Sequence, residues 1–133
     1  MITAQKRKCR RAVAAVELAI VTPVLLTMLF GIVEFGWVFT VRQALVTAAR
    51  EGARTASLPG STVADVQTRI SDYTQPLGLT TATPQVDCGE DGKPTGTVRV
   101  SIPYANVTLV GSYFGSTSGN LSATCSMKKE TVN

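Results

Sequence analysis

Hydrophobic positions divide the chain into a continuous apolar run, a helical stripe and a set of alternating segments. From Leu18 to Val33 the sequence reads LAIVTPVLLTMLFGIV without a charge. Glu34 interrupts it, and FGWVFTV carries on to Val41. As a helix, the residues between Glu17 and Arg42 would reach about 36 Å, more than the ~30 Å hydrocarbon core of a bilayer. A chain of 133 residues is too small to cover such a helix on all sides as a soluble core element. A cleaved secretory signal would have a shorter apolar region with a small-x-small cut site behind it. The pattern therefore predicts a membrane-spanning segment over residues 12–41 that stays in the mature protein.

The helical period continues past the apolar run. Val41, Ala44, Leu45, Ala48, Ala49, Gly52 and Ala56 fall on one side, while Arg42, Gln43, Thr47, Arg50, Glu51 and Arg54 occupy much of the other. The helix is expected from about Ala12 to Ser57, ending near Leu58-Pro59-Gly60, with Pro23 inside it as a kink or loosened turn. Thr62 and Asp65 have the spacing of a capping box, and Val63, Val66, Ile70 and Tyr73 give the following helix an apolar stripe. Beyond Pro76-Leu77-Gly78 the period becomes two. Pro84–Cys88, Thr97–Tyr104 and Leu121–Met127 read as strands, residues 89–94 as a turn and 110–120 as a loop. The fold class is α+β: a transmembrane helix at 12–41, an amphipathic stalk at 42–59, and a small helix-plus-antiparallel-sheet domain at 60–133.

Charge changes this picture by its placement. Of 13 basic residues, Lys6, Arg7, Lys8, Arg10 and Arg11 lie in the first eleven positions, leaving the rest of the chain almost balanced against nine acids. The net charge of +4 thus reports a basic tail and no basic face, which argues against nucleic acid as a partner. Basic residues flanking a span stay cytoplasmic, so residues 1–11 are expected inside and the C-terminal domain outside. Phe35, Trp37 and Phe39 then fall where an outer aromatic belt belongs.

The composition also limits chemistry. There is no histidine, and three cysteines cannot form a four-thiolate zinc site. Asp65 and Asp72 share a helical face, and Glu90 and Asp91 sit beside Gly92, but they read as a solvated face and a turn. No catalytic, cofactor-binding or metal site is expected. Cys88 and Cys125 both have the parity of the apolar side of their strands and lie outside the membrane, where disulfides form. A Cys88–Cys125 bridge is expected, two buried thiols being the alternative.

The stretch from Arg10 to Ser57 closely resembles the TadE-like family, pseudopilin-type proteins of the bacterial tight adherence (Tad, or Flp) pilus. The matching pieces are Arg10-Arg11, Ala15-Val16-Glu17, Pro23, the FGIVEFG segment from Phe30 to Gly36, and the AAREGAR segment from Ala48 to Arg54. The resemblance implies a single-pass protein of the bacterial inner or plasma membrane, with pilus assembly proteins and pilin or pseudopilin subunits as partners. For some members of the family it also implies a prepilin peptidase cut. With Glu17 as the fifth residue after it, the cut falls between Ala12 and Val13. The family's usual Gly before the cut is here Ala12.

Three partners are open to Glu17: the new amino group of Val13 on a neighbouring subunit, Arg10 or Arg11 in an uncut chain, or water at the headgroups. Glu34 is open to hydration or to a partner helix. Ala44, Ala48, Gly52 and Ala56 are spaced by four, an interval that lets a helix approach closely, by the chain's own domain, a second copy or a pilin. The function expected is a membrane-anchored, pseudopilin- or minor-pilin-like assembly component that works by helix packing and protein contacts. The alternative is a permanently anchored extracytoplasmic binding module with no role in a fibre.

Overall fold

The computed structural model describes residues 3–88, 95–109 and 118–129, with side chains from residue 12 onward. Helix α1 runs over Thr3–Ser57. Its end is set locally. Pro59 disfavours helical backbone at Leu58, and Gly60 turns the chain with φ +80°. The Ser57 hydroxyl donates to the Arg54 carbonyl at 2.7 Å, satisfying an end-of-helix acceptor.

The chain divides into two units, Met1–Phe35 and Gly36–Asn133. In the first, α1 is apolar nearly all round. The hydroxyls of Thr22 and Thr27 donate one turn back, to Leu18 at 2.6 Å and Pro23 at 2.8 Å, so neither presents an unmatched donor to apolar surroundings.

The second unit is built on the remainder of α1. Helix α2 spans Val63–Thr74 and opens with the expected capping box. Thr62 Oγ1 accepts from the Asp65 backbone N–H at 3.3 Å, and the Asp65 carboxylate accepts from the Thr62 backbone N–H at 2.9 Å. A 3₁₀ turn at Gln75–Leu77 ends at Gly78, whose φ of +71° supplies the left-handed cap. Three strands follow, β1 (Thr83–Asp87), β2 (Thr95–Pro103) and β3 (Asn120–Lys128), forming an antiparallel sheet in the order β1-β2-β3. The expected turn at residues 89–94 lies outside the described residues, as does most of the expected loop at 110–120. The middle strand ends at Pro103, one residue before the expected Tyr104, because the chain enters a 3₁₀ turn at Tyr104–Asn106.

On β2, Val98, Val100 and Ile102 turn inward and are fully buried, while Thr95, Arg99 and Pro103 are exposed. They meet Val41, Leu45, Ala48, Ala49, Ala53 and Ala56 of α1 and Val66 and Ile70 of α2 in one core. The residues expected as a stalk, together with Val41 from the end of the expected span, thus carry the α1 side of this unit's core. Two glycines permit the approach. A Cβ on Gly52 would stand 3.0 Å from Ile70 Cγ1 and 3.2 Å from Val98 Cγ1, and one on Gly96 would stand 3.3 Å from Ala56 Cβ.

The expected disulfide is absent: Cys88 and Cys125 are not joined. The register explains why. Val86 pairs with Val98, and Val98 with Cys125, so β2 lies between the two cysteines. Two strand spacings alone separate them by about 9.5 Å. A bridge needs Cα atoms within about 7 Å. Both residues do lie on the inward parity, as their sequence positions suggest, but on opposite sides of β2, Cys88 directly after β1 and Cys125 on β3.

Candidate functional site

The first unit carries a bare apolar surface. From Val13 to Phe35 its large hydrophobic side chains are 45–76% exposed within the chain. Water is a poor solvent for a helix of this kind, whereas hydrocarbon or other apolar helices satisfy it. The helix is long and apolar enough to cross a membrane. Ala12, Val13 and Glu17 all lie exposed at its start, and Glu34 is half-buried among exposed neighbours near its end.

The small-residue stripe has a different setting. Ala48 and Gly52 are buried against the chain's own sheet and α2, and Ala44 is half-buried at the core's edge. Ala53, absent from the stripe expected from sequence, is also fully buried. At the start of the second unit, Trp37 donates its indole N–H to the Val107 carbonyl at 2.8 Å. That contact joins residues seventy positions apart. Nothing in the sequence marks a backbone carbonyl as its acceptor.

Asp65 and Asp72 do share a setting, an open groove of about 560 Å³ between the end of α1 and α2 that Glu51, Arg54 and Arg69 also line. Their contacts are local to the helix. The Thr62 hydroxyl, and after it the Thr62 backbone N–H, hold the Asp65 carboxyl below the usual aspartate range. Asp72 lies 4.0 Å from Arg69, whose guanidinium is 5.9 Å from the Tyr73 ring centroid. A carboxylate stabilised in its ionised form is poorly suited to donate a proton. Among the described residues no three His, Cys, Asp or Glu side chains gather where a metal could sit.

The structure therefore defines a small α+β unit folded onto the end of a long apolar helix that suits a single-pass membrane anchor. Residues 12–54, all within α1, match the family model described as TadE-like protein. The match covers 43 of the chain's 133 residues. It stops short of α2 and the sheet. No curated protein and no solved structure matches the chain.

Proposed function

We propose that this chain is a pseudopilin- or minor-pilin-like component of tight adherence pilus assembly, anchored in the bacterial inner membrane and acting through protein contacts. The observation that carries the reading is the family match over residues 12–54, on a helix whose first part is apolar and left uncovered by its own chain. Residues 1–11 lie in the cytoplasm, held there by their five basic side chains, and the second unit lies outside. The face from Val13 to Phe35 is the packing surface, with Glu17 and Glu34 as its polar contacts. Ala44, at the edge of the core, is the member of the small-residue stripe best placed for a neighbour. A prepilin peptidase cut between Ala12 and Val13 frees the amino group that pairs with Glu17 of an adjacent subunit.

Co-purification with pilus assembly proteins tests this. Glu17→Gln leaves membrane insertion intact, since the apolar run drives it, and lowers recovery of the partners by removing the counter-charge. A bulky residue at Ala12 has the same effect by blocking the cut. Equal recovery in wild type and both variants would refute the processed-subunit mechanism.

A further inference from the structure

We propose that the loop from Tyr104 to Leu109 rests on the lipid bilayer, giving the second unit a headgroup-level contact of its own. The inference rests on the membrane-anchor reading and goes beyond it. A span of about twenty helical residues crosses the hydrocarbon core. Counted from Leu18, the first residue after Glu17, that span ends at about Trp37. A tryptophan at this position suits the interface, where its ring is apolar and its N–H finds an acceptor. Here the acceptor belongs to the protein. The indole donates to the Val107 carbonyl at 2.8 Å, which fixes the loop at the depth of the ring.

The loop is held there from both sides. Val107 is 2% exposed in the core, its N–H donates to the Tyr104 carbonyl at 3.0 Å, and the Asn106 side chain donates to Thr81 Oγ1 at 3.1 Å. Leu109, two residues beyond the carbonyl that Trp37 holds, is 56% exposed. A lone exposed leucine is ordinary on a protein surface. This one differs in its tie to the residue at the membrane boundary. The surrounding sequence is also suited to lipid: from Arg99 to Lys128 no charged side chain intervenes. Lipid headgroups and the upper acyl chains are the partner this chemistry fits.

The test uses the full chain in phosphatidylcholine nanodiscs containing lipid brominated near the headgroup end of its acyl chains. Trp37 is the chain's one tryptophan, so wild-type quenching reports the anchor alone. Leu109→Trp adds a second emitter at an exposed site. The proposal expects its quenched fraction to match wild type, with little added quenching by aqueous acrylamide. Ser126→Trp places the second emitter six residues along β3, about 20 Å from the strand's start beside Pro103. Its lipid-quenched fraction is expected to fall toward half, with the new emission open to acrylamide. If Leu109→Trp behaves like Ser126→Trp while wild type is quenched, the loop is in water and the proposal fails, leaving the anchor intact. Emission at 109 shielded from both quenchers would mean that protein covers the loop, and would also overturn it. An unquenched wild type would remove the anchor itself.

Discussion

Gly52 sets how closely α1 approaches the sheet and α2, and its substitution measures that approach. An alanine Cβ would lie 3.0 and 3.1 Å from the Ile70 side chain and 3.2 Å from Val98, all shorter than ordinary van der Waals contact. Helix propensity favours alanine over glycine by about 1 kcal/mol. Overpacking a filled core costs about 1–3 kcal/mol. The Ile70 end can shift somewhat, but Val98 sits in the central strand, held by neighbours on both sides. Gly52→Ala is therefore expected to destabilise by about 1 kcal/mol net, or roughly 4–8 °C in Tm for a unit of this size. Gly52→Val adds two further methyl groups in the same gap and should cost about 3 kcal/mol. Thermal unfolding of the full chain in nanodiscs, followed by Trp37 fluorescence, gives the readout. An unchanged Tm for Gly52→Val would mean that α2 and β2 do not seat on this stripe, and the packing described for the second unit would be wrong.

Two further outcomes follow from the same geometry. Thr62→Ala should destabilise the second unit by about 1 kcal/mol at neutral pH through loss of the α2 cap. Because the Asp65 carboxyl is held below its ordinary value, its share of stability is complete above the unfolded pKa and is lost as pH falls through the folded one. Wild type should therefore lose more stability than Thr62→Ala over that acid window, and parallel Tm–pH curves would contradict the reciprocal bonds. Peptide mapping of the denatured, unreduced chain should find no Cys88–Cys125 cross-link, whereas its recovery in high yield would contradict the strand order.

Local signals in the sequence were strong enough to give most of the elements. The end of α1 was legible because Pro59 and Gly60 act within one turn, and the α2 start because Thr62 and Asp65 reach each other without help from the rest of the fold. The alternation of β2 was legible for the same reason: a period of two needs no partner strand to be read. The pairing of strands was not. Parity assigns Cys88 and Cys125 to a face, but neighbourhood depends on which strand takes the centre of the sheet, and residues far along the chain decide that. The setting of Ala48 and Gly52 was equally open, since small residues at four-residue spacing suit a partner helix as well as the chain's own sheet. The sequence puts Trp37 where an outer aromatic belt is expected, but its bond to Val107 depends on a turn after β2 that carries no motif.

The use of alanine and glycine on the buried side of α1 also bears on how the chain is made. The helix is synthesised first, and the β2 residue that covers Gly52, Val98, follows 46 residues later. At about 5–20 residues per second that is an interval of a few seconds. During it the stripe from Ala48 to Ala56 has no sheet against it, α2 being made before β2. Alanine and glycine expose little apolar area, so the waiting helix offers chaperones, lipid and neighbouring nascent chains a weak hold. A stripe of leucines would form a stronger core once covered, but would be captured more readily before β2 emerged.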